Sequence, residues 1–213
     1  MENASRETDA QTGKDGARPS AEATRQKLLA AGIALFSSRG YEATSTRQVE
    51  AAAGVQRNLI TYHFGNKGEF WKACMENLFG RLAEITGPTI SQSRDIAPGE
   101  RIRFLIRQFV RVSAKYPEVT RIMLEEGRSD DWRLDWIVEH QSRRFYNIVN
   151  ALFDEGGYSP EGLTPIQFYY ALVSGAAIFA MAPECRRLSG QDPFSEEMID
   201  AQANAIAGLL IRE

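Results

Sequence analysis

The sequence runs to 213 residues, 43% hydrophobic and 25% charged, with a formal net charge of −3. That length is enough to bury a sizeable core, and the composition is ordinary for a soluble globular protein. The net charge excludes a protein that coats nucleic acid by bulk charge, and the longest apolar run, around residues 171–183, is too short for a membrane span.

The start of the chain is polar, so no signal stretch is expected, and residues 1–19 read as a disordered tail. From Ala21 to Ser38, Leu29, Ile33 and Phe36 recur at helical spacing, and Arg39-Gly40 closes this first helix. Ser45 followed by Gln48 is a capping-box pattern, so a second helix starts at Thr46 and stops at Gly54 after about eight residues. The chain restarts at Val55, and a third helix runs to about Phe64. Two short helices joined by a glycine-containing turn describe a helix-turn-helix. Residues 20–66 are therefore expected to form a DNA-binding unit, and residues 67–213 a helical body.

In that body, helices are expected at Lys67–Ile85, Gly99–Tyr116, Glu118–Glu126, Asp130–Glu155, Pro165–Arg187 and Ser195–Arg212. Loop residues dominate "GPTISQSRDIAPGE" between the first two. No strand pattern of useful length occurs, so the fold class is all-α. Cys74 and Cys185 lie far apart with no CxxC pair, which fits a reduced, cytoplasmic chain without a metal or cofactor.

Charge is unevenly placed. Residues 18–72 hold eight Lys/Arg against four Asp/Glu, the tail before them two against four, and the remainder fifteen against twenty. A basic segment on an acidic body points to a localised polyanion contact. The second helix of a helix-turn-helix enters the major groove of double-stranded DNA, with its leading residues at base edges. Gln56, Arg57 and Asn58 are expected to lead that helix; Gln and Asn suit adenine, and Arg suits guanine or phosphate. Thr61, Tyr62 and His63 follow as phosphate clamps, while Val55, Ile60 and Phe64 face inward. Lys67 opens the next helix, where charge and helix N-terminus together hold a phosphate. Ser45, Thr46 and Arg47, at the start of the second helix, complete the expected DNA-binding set.

These residues also carry a family resemblance. "GYEATSTRQVEAAAGVQRNLITYHFGNKGEF" resembles the DNA-binding segment of TetR-family transcriptional regulators. The match runs through Gly40-Tyr41, Ala43-Thr44-Ser45, Arg47, Val49, Ala53-Gly54-Val55, Ile60, Tyr62-His63-Phe64 and Lys67. The resemblance implies an all-helical homodimer whose C-terminal domain binds a small molecule and thereby weakens DNA binding. Four positions depart from the family: Gln56 stands at a usual Ser or Thr cap, Asn58 at a frequent Gly, Thr61 at a frequent Tyr, and Glu50 at a common Ala.

Fourteen of the twenty-one aromatic residues fall between Phe104 and Phe194. Rings of this kind either build a core or line an apolar ligand pocket. The pocket candidates are Phe109, Met123, Trp132, Trp136, Phe145, Phe168 and Tyr169. Small residues recur on one face of the last helix at Ala201, Ala205 and Gly208, and Ser174, Ala177 and Met181 lie on the helix before it. Such faces either pack within one chain or pair with a second copy; the second is expected, because two helix-turn-helix units read a palindromic operator. The carboxylates Glu125, Glu126, Asp130, Asp131 and Asp135 lack the converging geometry of a metal site. With no GxSxG, HExxH or P-loop motif, no catalytic residue is assigned. The expected function is an effector-released transcriptional repressor, against the alternatives of a constitutive DNA-binding protein or a helical enzyme.

Overall fold

A computed structural model describes residues 20–156 and 162–211; the tail expected at residues 1–19 lies outside them. The described residues form helices and no strand. The first three are α1 (Ala21–Arg39), α2 (Thr46–Ala52) and α3 (Leu59–Phe64). After them come α4 (Lys67–Gln92), a 3₁₀ turn at Ser93–Asp95, α5 (Pro98–Lys115) and α6 (Pro117–Glu126). Next are α7 (Trp132–Ile137), a π-turn at Val138–Ser142 and α8 (Arg143–Gly156). The chain ends with α9 (Pro165–Gly175), α10 (Ala177–Ala180), α11 (Ala182–Ser189) and α12 (Glu196–Leu210). No single helix among the described residues is long and apolar enough to cross a membrane.

Local chemistry sets most of these boundaries. Ser20, Asn66 and Ser195 each accept a backbone N–H at the start of α1, α4 and α12, and Ser45 with Gln48 and Thr164 with Gln167 form reciprocal capping boxes. Three expectations need correction. First, α4 continues through Gly87-Pro88 to Gln92 where a loop was expected. Pro88 removes the hydrogen bond to the Glu84 carbonyl, but both residues are exposed there, so the loss falls on the solvent side of the helix. Second, the helix expected over Asp130–Glu155 contains the π-turn. There His140 Nδ1–H donates to the Trp136 carbonyl at 2.8 Å, while its ring stacks on the indole at 4.2 Å. Third, the helix expected over Pro165–Arg187 breaks at Ala176 and Met181 and bends by 73° before α11. Pro183 cannot donate to the Phe179 carbonyl, and Arg121 Nε donates to the Ala180 carbonyl at 3.3 Å.

Two apolar clusters result. The N-terminal one joins Leu28, Leu29, Ile33 and Phe36 of α1 to Val49 and Ile60, to Phe70, Trp71, Cys74, Met75 and Leu78 of α4, and to Ile122 and Ile137. The other joins α5, α8, α9 and α12 through Ile106, Val110, Val149, Phe168, Leu172, Ile206 and Leu210. Helix α4 thus has its first half inside the N-terminal cluster.

The α1–α4 contact is close. A Cβ at Gly32 would lie 2.6 Å from both Cys74 Sγ and Phe70 Cζ. Gly32→Ala is therefore expected to destabilise the fold by about 1–3 kcal/mol, the usual cost of overpacking, read from the urea midpoint. An unchanged midpoint would mean that α1 and α4 separate freely.

Candidate functional site

The turn between α2 and α3 is built by Gly54 at φ +63 and by the Val55 N–H, which donates to the Glu50 carbonyl at 3.1 Å. Gln56, Arg57 and Asn58 precede α3 in an exposed turn instead of forming its first residues. Asn58 takes the left-handed conformation, φ 67, which ends any helix reaching back toward Val55. Arg47, Gln56, Arg57, Asn58, Thr61 and Tyr62 are all exposed, and Tyr62 is 79% so. Thr46, His63 and Lys67 are half-buried, and the Ser45 hydroxyl is engaged in its capping box. On the inner side Ile60 is fully buried, and Val55 and Phe64 pack against the N-terminal cluster. Side chains able to bond bases and phosphate therefore share one solvent-facing surface, carried on a packed inner face.

Behind that surface lies a polar-aromatic junction. Tyr41 stacks on Phe36 and meets Trp71 and Trp132 edge to face. Lys67 Nζ sits 4.0 Å above the Tyr41 ring, and the Arg133 guanidinium 4.5 Å from it. Burial pushes the Lys67 ammonium down from its ordinary range; Glu42 opposes this and Arg133 adds to it. Arg133 is itself buried and bonds Glu126 at 2.8 Å, Asp131 at 2.8 Å and Glu42 at 3.2 Å. Burial pushes the Glu126 carboxyl up further than contact with Arg133 lowers it, whereas three carboxylates more than offset the burial of Arg133. Burial thus works against charge on Glu126, while its carboxylate partners favour charge on Arg133. The carboxylate run on either side of Gly127 is explained in part by this clasp: Glu126 and Asp131 bind Arg133, and Glu125 pairs with Arg128. No group of three or more potential metal ligands converges among the described residues.

Trp132 and Trp136 belong to this junction. They were expected on a pocket, but both pack on Trp71, at 5.4 and 5.7 Å between ring centroids. The short α7 places them one turn apart, facing α4. Phe109, Met123, Phe145, Phe168 and Tyr169 do line a cavity, between α4, α5, α6, α8 and α9. Its space for the centres of water molecules is about 180 Å³. Leu82, Ala83, Thr86, Thr89 and Ile90 of α4 form one wall. Phe109 and Phe145 stack across it with centroids 5.4 Å apart.

The family profile described as bacterial regulatory proteins, tetR family, matches residues 28–74. Residues 28–74 thus match the DNA-binding segment of the TetR family. The transcriptional regulator RutR of Escherichia coli K12 is 29% identical over 104 residues, about half the length of each chain (49% and 48%). A TetR-like regulator from Rhodococcus sp. RHA1 has the same fold, with a TM-score of 0.69 at 20% identity over 92% of this chain and 97% of that one. FadR of Bacillus subtilis, solved in complex with stearoyl-CoA, gives 0.65 at 16% identity over 88% and 97%.

Three departures from the usual TetR-family pattern now have a joint physical account. Gln56 makes no cap, and Asn58 caps with no side-chain hydrogen bond. Instead the Glu50 carboxylate, only 4% exposed, reaches from α2 to accept the Ile60 N–H at 3.0 Å. An anion at a helix N-terminus satisfies an orphan donor and opposes the helix dipole. The lone acid in the small-residue run "VEAAAG" was the signal for this contact. Glu50→Leu is expected to cost about 1–3 kcal/mol, the loss from leaving a buried donor unpaired, and to loosen α3 specifically. Hydrogen exchange at Ile60 reads this; protection equal to the parent's would show that the carboxylate is dispensable.

The small-residue face expected between copies is solvent-facing within one chain. Ser174, Met181, Ala201, Ala205 and Gly208 are exposed, Ala177 is half-buried, and Leu209, at 73% exposure, and Tyr170 lie with them. Ile199, Ile206 and Leu210, on the opposite side of α12, are buried.

Proposed function

We propose that this protein is a transcriptional regulator that binds a palindromic operator as a homodimer and is released by a small, largely apolar effector, so that it acts as a repressor in the cytoplasm. The observation that carries this reading is the path of α4. Its first half is core to the helix-turn-helix unit, and its second half is a wall of the apolar cavity. A molecule in that cavity touches the same helix that holds the DNA-facing surface. An effector that prefers one separation of the two surfaces shifts the population toward it, by no more than its differential affinity.

Arg133 supplies a second connection. It ties Glu42, in the turn after α1, to Glu126 of α6, and it stands on α7, which leads through the π-turn into the cavity-lining α8. The exposed face of α9 and α12 is the proposed seat of the second copy, since small residues let helices approach closely. FadR of Bacillus subtilis, with the same fold, has been solved in complex with stearoyl-CoA, which supports an apolar effector here. An open cavity also favours this reading over a constitutive DNA-binding protein.

The test is binding to a fluorescent duplex carrying the gene's own upstream region, against a scrambled duplex, at fixed salt. A preference of roughly a hundredfold or more is expected for a specific site. Equal weak binding to both, or an operator affinity unmoved by a ligand that fills the cavity, would overturn the regulatory reading.

A further inference from the structure

The cavity's chemistry narrows what it takes. Among the described lining residues, Arg144 is the one charged side chain, and none of them is a carboxylate. Arg144 is exposed although it lines the cavity, so it stands at the mouth. It lies on the α8 stripe that also carries Phe145, Ile148 and Leu152 inward, at helical spacing. No carboxylate pairs with it among the described residues, whereas Arg133, Arg111 and Arg186 are all paired.

Several of the other polar groups ask little of a ligand. The hydroxyls of Thr86, Thr89 and Ser113 donate to carbonyls of their own helices at 2.9, 3.2 and 2.8 Å. Tyr169 is hydrogen-bonded to Ser142. Gln108, Tyr116, Thr120 and Gln141 add neutral polar groups to the lining, and the single charge among the described lining residues is positive. A cationic ligand would meet Arg144 with no acid to offset it.

We infer that the cavity takes an amphiphile with one acyl or alkyl chain and an anionic head, the chain inside and the head at Arg144. This deepens the proposed regulatory function and rests on its assignment of the cavity as the effector site. The space, about 180 Å³, is roughly an order of magnitude above what one water needs. The anionic head has two sources, a free carboxylate or the phosphates of an acyl-CoA thioester.

Calorimetric titration of the full-length chain, below micelle-forming concentrations, distinguishes these. The probes are dodecanoate, dodecanol, dodecyltrimethylammonium and dodecanoyl-CoA. Dodecanoate or its CoA ester is expected to bind about tenfold or more tightly than dodecanol, the size of one charge-assisted contact. Whichever of the two binds more tightly identifies the head. Arg144→Gln is expected to remove that advantage and leave dodecanol binding unchanged, so that loss of folding is ruled out within the same experiment. Ile148→Trp, filling the interior, should weaken all four. Equal binding of dodecanoate, its ester and dodecanol, tighter binding of the ammonium, no binding of any, or an anion preference that survives Arg144→Gln would each overturn the inference. Operator binding is measured separately. Arg144-dependent binding without operator release would overturn the regulatory reading and leave this one standing.

Discussion

Arg133→Met is expected to lower the stability of the protein by about 3–5 kcal/mol, the range for breaking a buried ion pair by removing one partner. The loss falls on Glu126, which is 4% exposed and bonded to Arg133 at 2.8 Å. Without the guanidinium, nothing offsets the burial that already pushes this carboxyl up. The pH dependence follows in sign. In the variant the folded state holds a proton on Glu126 in a window where the unfolded chain has lost it, so stability is present at low pH and falls as pH rises through the folded-state pKa. Urea midpoints should accordingly show a larger deficit at pH 8 than at pH 5.5. Adding Glu126→Leu should recover much of the loss and flatten the pH dependence, since an apolar replacement of the whole pair is often near neutral. Glu42→Gln, by contrast, is expected to cost no more than about 1 kcal/mol, because that carboxylate is 80% exposed. A small, pH-independent effect of Arg133→Met would mean that the clasp does not hold the junction.

The second large effect is on DNA. Tyr62 exposes 79% of its surface on α3, so Tyr62→Ala should leave stability within about 0.5 kcal/mol. Its affinity for the operator should nevertheless fall tenfold or more, and Arg57→Ala should cost about 1–3 kcal/mol of binding. The pattern of the Arg57 loss identifies its partner. Relaxed preference at one base pair marks a base contact, whereas a uniform loss with a salt slope smaller by about 1 marks a phosphate. If both variants bound as tightly as the parent, the exposed surface of α3 would not be the DNA-facing one.

The same contrast between local and distant contacts separates what could be read in the residues from what could not. The all-α class, the span of α1, the capping box at Ser45 and Gln48, and the stop at Gly54 depend on interactions within four residues. Spacing and residue type suffice for those. The polar set from Arg47 to Lys67 was legible for the same reason, and so was the split of α12 into a buried and a small-residue face.

Contacts between distant residues were not legible. Glu50 caps a helix ten residues on, which is visible only once the turn folds back. Trp132 and Trp136 have the same composition signal as Phe109 and Phe145, and only the placement of α7 against α4 sends one pair to the junction and the other to the cavity. Arg133 meets Glu42 across ninety-one positions and Glu126 across seven. By itself the sequence determined the helical class, the helix-turn-helix and the polar side chains grouped around α3, because each follows from short-range periodicity and capping. Only the tertiary structure decided which rings surround a cavity, which acids clasp Arg133 and how α4 joins the two, because burial and charge pairing depend on which helix faces which.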